Sequence, residues 1–282
     1  MKYDFNIADI KICIMSSFEI DWNDYIHKFL CGPLDNYDEY YELIVTNSLI
    51  PEGKMIYQSD FQYIFKNDEL EERLHFFFGH SIPCMMYKEY DDKKVIYLNE
   101  YYLPSFKEKN NYSIFNALAF EKVLIKHHAI VLHCSYIIYH DKAILFSAPS
   151  GTGKSTQADL WKKYRNAEIV NGDRAIIKKS DDTYYAMGMP ICGSSNICLN
   201  KSAPIRAIVY LGQSPNNHIQ MVDKKTQIKK TVSETTINFF NHDFLDDAIS
   251  IITDLSLHVP MYELLCTKDI KAIECLERML DI

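Results

Sequence analysis

No stretch of the sequence reaches the roughly 18 unbroken apolar residues that a membrane-crossing helix needs, so neither a spanning segment nor a membrane partner is expected. The opening MKYDFNIADIKI carries an acid at Asp4 and no apolar run of signal-peptide type, which makes the cytoplasm the expected location. A basic excess is missing too: 38 Asp and Glu outnumber 30 Lys and Arg, for a formal net charge of -8. Binding along a nucleic-acid backbone needs clustered cations to displace counterions, so nucleic acid is not an expected partner. The 8 cysteines are scattered, with no C-x-x-C pair and no Cys/His set at zinc spacing; reduced, mostly buried thiols are expected instead. Internal repeats and low-complexity segments are absent as well.

What is present is apolar material, 48% of 282 residues, enough for one large core or two modest ones. The first hundred residues are rich in Tyr and Phe and read as short strands with few helices. MMYKEYDDKKVIYLNEYYL has two alternating runs around Asp91-Asp92-Lys93, a hairpin pattern. From Asn111 to Ala129 the apolar spacing predicts a helix, which is taken to join an N-terminal α+β domain, residues 1–110, to a second domain, residues 111–282. IVLHCSYIIYHDKAILFSA then reads as a hairpin folded at His140-Asp141-Lys142.

The second strand of that hairpin runs into SAPSGTGKSTQ. Ala148 to Ser155 match the phosphate-loop pattern G-x-x-x-x-G-K-[ST] except at the first position. The glycines that matter most are those where backbone N–H groups converge on phosphate, Gly151 and Gly153, whereas Ala148 ends a strand and can carry a methyl group. Lys154 is expected to reach the β/γ-phosphates and Ser155 to bind Mg²⁺, with TQADLWKKY continuing as a helix whose positive end faces the anion. AEIVNGDRAIIKK reads as a strand broken at Asn171-Gly172, and Asp173 is the nearest acid for Mg²⁺ or for a proton. Arg174 beside it serves phosphate or a surface acid.

Further on, Gly188, Pro190, Gly193, Ser194, Ser195 and Asn196 form a flexible stretch suited either to grasping a peptide or phosphate or to a plain crossover. APIRAIVYLGQ reads as a strand opened by Arg206, a second cation for the site, and SPNNHIQ as a turn. Helices are expected over Lys225 to Phe240 and Asp243 to Leu257, a strand over Met261 to Cys266, and a last helix capped by Thr267. Asp246-Asp247, His127-His128 and the lysine pairs at 224–225 and 229–230 read as solvated helix faces or ends.

The order His133, hairpin, SAPSGTGKST, Asp173-Arg174 resembles the C-terminal domain of HPr kinase/phosphorylase and its relatives, among them peptide-tailoring serine kinases and, more distantly, ATP-dependent phosphoenolpyruvate carboxykinases. The resemblance covers roughly residues 131–177. It implies an α/β fold with a mixed sheet around a phosphate-loop core, beside the smaller N-terminal domain. It also implies ATP and Mg²⁺ as cofactors. Ser150, Gly151, Thr152, Gly153, Lys154, Ser155 and Thr156 would bind the nucleotide phosphates; Ser155 and Asp173 would serve the metal; His133 would lie beside the transferred phosphoryl. The implied reaction moves the γ-phosphoryl to a Ser or Thr hydroxyl of a peptide or small protein; the separateness of the N-terminal domain and its supply of Tyr and Phe suggest that it recruits that substrate. Some relatives assemble as hexamers, so a homo-oligomer is among the expected partners. Two departures stand out. Gly172 occupies the place of the first of the family's two adjacent acids, and the family's E-I-R-G stretch has no counterpart. Hence two other readings stand beside the first: a nucleotide-binding regulatory protein, and a kinase of a small-molecule hydroxyl.

Overall fold

The computed structural model describes residues 1–67, 70–107 and 112–282. They form two compact units, Met1–Val123 and Leu124–Ile282. The expected boundary between residues 110 and 111 lies outside the described residues.

The first unit is built on one eight-stranded sheet: β1 (Lys2–Ile7), β2 (Ile10–Ser16), β3 (Glu39–Thr46), β4 (Lys54–Gln58), β5 (Gln62–Lys66), β6 (Glu71–His75), β7 (Met85–Glu89) and β8 (Lys94–Asn99). Their order is β1-β2-β3-β8-β7-β6-β5-β4, antiparallel except at β2–β3 and β3–β8. β7 and β8 are the expected hairpin, with Glu89 opposite Lys94. Short helices α1 (Asp24–His27), α2 (Leu103–Lys107) and α3 (Tyr112–Ala117) accompany the sheet. Phe5, Trp22 and Phe115 meet edge to face, which fits the ring quadrupoles, with centroids 5.2–5.6 Å apart. Buried charges are paired: Arg73 with Glu71 and Glu121, Lys88 with Glu72.

Helix α4 (Phe120–Lys126) leads into the second unit. Its strands are β9 (Ala129–Tyr139), β10 (Lys142–Ser147), β11 (Glu168–Asn171), β12 (Arg174–Ser180), β13 (Thr183–Met187), β14 (Ser202–Gln213), β15 (His218–Met221) and β16 (Met261–Cys266). Its helices are α5 (Lys154–Arg165), α6 (Lys224–Glu234), α7 (His242–His258) and α8 (Ile270–Leu280). The sheet is mixed: β10, β14 and β16 are parallel neighbours, and the rest pair antiparallel. Successive side chains of β9 point to opposite faces. Leu132, Cys134 and Tyr136 enter one core with Ile252 and Leu255 of α7; Ile137 enters the other with Trp161 of α5 and Leu276 of α8.

β9 changes partners halfway. Residues 134–139 pair with β10, while Ala129 to His133 pair with β12, Arg174 standing opposite His133. β10 ends where Ser147 stands opposite Cys134, so the glycine-containing loop that follows leaves the sheet at the level of His133.

Several elements depart from the sequence reading. The helix expected over 111–129 is two helices, α3 and α4, broken at Leu118-Ala119 where Ala119 has φ +49°; Asn111 lies outside the described residues. α6 stops at Glu234 rather than Phe240, because Thr235 turns extended and bridges Leu132 of β9. His218–Met221, inside and beyond the expected turn, forms a strand against β16. The last helix is capped by Asp269, since the Thr267 hydroxyl is bonded to Asn217 at 2.9 Å. The eight cysteines form no disulfide, and five of them are buried.

Candidate active site

The loop opens at Ala148, which is 3% exposed and packed in the core beneath α5. Its φ is not positive, so the backbone there has no need of glycine. Gly151 at φ +79° and Gly153 at φ +123° do need it, and a Cβ on either would meet nothing within 4 Å, so both face open space. No described side chain caps the first turn of α5, leaving its N–H groups and positive dipole end available to an anion. Ser150 and Ser155 are exposed, Thr152 and Thr156 half-buried.

Lys154 is 8% exposed and donates from Nζ to the Ala148 carbonyl at 2.8 Å. Burial lowers its pKa, opposed by the charges of Glu234, Asp173 and Cys134, in that order. The loop lysine therefore lies in the field of two carboxylates borne on different elements.

Asp173 is set by a buried asparagine. Asn171, 0% exposed, accepts from the N–H groups of Asp173 and Arg174 at 2.9 and 3.0 Å, an Asx turn that interrupts what would otherwise be one strand from β11 to β12. Its amide nitrogen donates to the carbonyls of Met189 and Ile191, at 3.1 and 2.9 Å. The same side chain thus fixes the acid-bearing turn and the start of the Gly/Ser stretch. Cys134 N–H donates to the Asp173 carbonyl at 3.0 Å, and the Ser135 hydroxyl to that of Gly172 at 3.0 Å.

Across the sheet, the Ser147 hydroxyl holds the His133 carbonyl at 3.0 Å, tying His133 to the residue that precedes the loop. Its ring Nε2 is 3.6 Å from Asp173 Oδ1, and its Nδ1 is 3.0 Å from Glu234 Oε2. Arg174 Nε donates to Asp173 Oδ2 at 3.0 Å. His133, Asp173 and Arg174 are therefore brought together, with Lys154 within the electrostatic reach of Asp173 and Glu234. Arg206 is not: it lies beside Ala143 and Ile144, at the far end of β10 from the loop.

The Gly/Ser stretch lies on this cluster. A Cβ on Gly193 would be 2.8 Å from Asp173 Cγ, and a Cβ on Gly172 would be 2.2 Å from the Ser195 hydroxyl oxygen. Ser195 takes the space that any side chain at 172 would need. The Ser194 side chain lies outside the described ones.

Glu234 is the functional candidate that the sequence reading missed. It sits at the end of a lysine-rich helix with no local motif, and its place is made by the bridge from Thr235 to Leu132 and by Thr236 N–H donating to Val131.

Beside the loop a 530 Å³ cavity opens at the carboxyl ends of β14 and β16, lined by Thr152, Thr156, Gln213, Ser214, Thr267 and Lys268 among others. Crevices at the carboxyl ends of parallel strands are where open α/β sheets take ligands. Among the described residues no group of three or more His, Cys, Asp and Glu could hold a metal ion by itself.

No family model matches the sequence, and no curated protein matches it. Among solved structures, the Hpr(Ser) kinase/phosphatase from Coxiella burnetii is similar over 54% of this chain and 88% of that one, at 12% identity and a TM-score of 0.31. No described helix is long and apolar enough to cross a membrane.

Proposed function

We propose that the second unit is an ATP- and Mg²⁺-dependent phosphotransferase acting on a hydroxyl, with a Ser or Thr of a peptide or small protein as the acceptor. The observation that carries this reading is that the glycine loop leaves β10 at the residue whose hydroxyl holds the His133 carbonyl, with Asp173 beside the His133 ring. Loop residues Ser150 to Thr156 would hold the phosphates, with Lys154 placing positive charge where negative charge is transferred. Ser155 and Asp173 would hold Mg²⁺, whose chemistry is to neutralise phosphate oxygens. The nucleoside half of the nucleotide would occupy the cavity beside Thr156 and Thr267.

In the step itself, the acceptor oxygen bonds to the γ-phosphorus and the bond from that phosphorus to the bridging oxygen breaks. ADP leaves with the electron pair, and the acceptor's proton passes to the Asp173–His133 pair. Both side chains are accessible, 26% and 34% exposed.

Binding of a fluorescent ATP analogue with Mg²⁺, followed by turnover, tests the reading on wild type, Lys154→Ala and Asp173→Asn. Expected are loss of binding by at least tenfold in the first variant, and in the second retained binding with turnover down about 10²-fold. Absence of nucleotide binding in the wild type would overturn it. The regulatory reading is favoured by one observation, the filling of the space at Gly172 by Ser195, and it expects tight binding with no turnover on any acceptor.

A further inference from the structure

We infer that Glu234 is the second acid of this site, a positioning residue that holds His133 in one tautomer from the edge of β9 opposite position 172, where no acid stands. The inference rests on the phosphotransfer reading for its purpose, though not for its geometry.

Position 172 cannot supply an acid in this structure, because Ser195 fills the space its side chain would enter. Glu234 reaches the same cluster from the opposite edge of β9. β10 accompanies β9 only as far as Cys134; beyond it Thr235 bridges Leu132, so the last residue of α6 is delivered beside His133. α6 carries a buried polar seam of residues four apart, of which Thr231 ties the helix to β14. Gln227 bonds the Val222 carbonyl, Thr231 bonds the Tyr210 hydroxyl at 2.6 Å, and Thr235 bonds the Thr231 carbonyl at 2.7 Å.

Local preference argues against a glutamate at this spot. The C-terminal end of a helix presents unpaired carbonyls and disfavours an anion. The Glu234 side chain is also only 11% exposed, so little water offsets that repulsion. A carboxylate kept against both tendencies is explained by what it meets, the His133 Nδ1 at 3.0 Å and the field of Lys154.

The two ring nitrogens are unequal. Nδ1 lies 3.0 Å from Glu234 Oε2, within hydrogen-bond distance, whereas Nε2 lies 3.6 Å from Asp173 Oδ1, beyond it, so in the neutral ring the Glu234 carboxylate favours the proton on Nδ1. Glu234 therefore presents Nε2 to the acceptor hydroxyl, and the proton released in the transfer goes to Nε2 while Nδ1–H stays bonded to Glu234.

The test is ¹⁵N imidazole spectroscopy at one alkaline pH, with the His133 signals assigned by their loss in His133→Gln. Turnover and binding of the fluorescent ATP analogue are measured alongside. In Glu234→Ala the ratio of Nδ1–H to Nε2–H tautomer should fall roughly tenfold or more, the worth of one charge-assisted hydrogen bond. Turnover should fall about 10²-fold with nucleotide affinity held within about threefold. Glu234→Gln keeps the shape of the side chain and should move the same readouts in the same direction if the alanine variant does not fold. An unchanged tautomer ratio in the folded variants, or unchanged turnover where His133→Gln abolishes it, would overturn the inference. A wild type that binds no nucleotide would sink the phosphotransfer reading alone, and the tautomer ratio, which needs no nucleotide, would still decide the role of Glu234.

Discussion

Gly172 is glycine because of a neighbour. Its backbone is not in the left-handed region, so an alanine there would be unstrained but for Ser195, whose Oγ and Cβ would lie 2.2 and 2.3 Å from the new methyl group. Gly172→Ala should therefore destabilise the unit by about 1–3 kcal/mol, the range for overpacking. In a Ser195→Gly background the same substitution should cost less, even though that background loses the Ser195 bonds to Cys192 and Ile197. Urea melts of the four proteins in a double-mutant cycle measure the coupling. Equal costs in both backgrounds would mean that the Gly/Ser stretch does not lie where it is described.

Between β11 and β12 the chain relies on one side chain to make a turn without a loop. From full burial Asn171 accepts twice from the turn that carries Asp173 and donates to two carbonyls of the segment that lies over it. Asn171→Ala leaves buried groups unpaired on both sides and should cost about 3 kcal/mol, read as a shift in urea midpoint without a change of slope. A cost under about 1 kcal/mol would mean that the two segments are held by other contacts. The elements around this turn also separate what was legible in the sequence from what was not. The hairpin into the loop, the glycines at 151 and 153, and the strand interrupted at Asn171-Gly172 rest on neighbours in sequence, and local patterns reveal them. The end of α6 at Glu234, the strand at His218–Met221 and the placing of Arg206 far from the loop rest on pairings with distant residues. Glu234 and His133 are 101 residues apart, and no spacing rule connects them. Thr267 shows the same limit in miniature: a sound capping residue that Asn217, 50 residues away, has already engaged.

At the scale of the whole molecule, the two units differ in what acid does to them. In the first unit burial and the nearby charge of Arg73 push the pKa of His75 down to about 3, with Glu121 opposing. Gln62 lies beside its Nε2 at 3.4 Å, a contact suited to a neutral ring that accepts the amide proton. The folded unit thus keeps His75 neutral while the unfolded chain protonates it near 6.5. Stability from this group is complete above that value and declines as pH falls toward 3, by about 1.4 kcal/mol per pH unit, or about 2 kcal/mol at pH 5. Carboxylates held below their ordinary range, Glu72 by Lys88 in the first unit, and Asp254 and Glu263 by Lys179 and Lys230 in the second, lose their contribution only below about pH 4.5. The interval from pH 6.5 to 5 therefore isolates His75. Hydrogen exchange at β5, β6 and β7 should show protection falling between pH 7 and pH 5 beyond the change in intrinsic exchange rate, with the strands of the second unit much less affected. In His75→Gln that extra loss should shrink by most of the 2 kcal/mol. A variant as acid-sensitive as the wild type would mean that the histidine is protonated within the folded sheet.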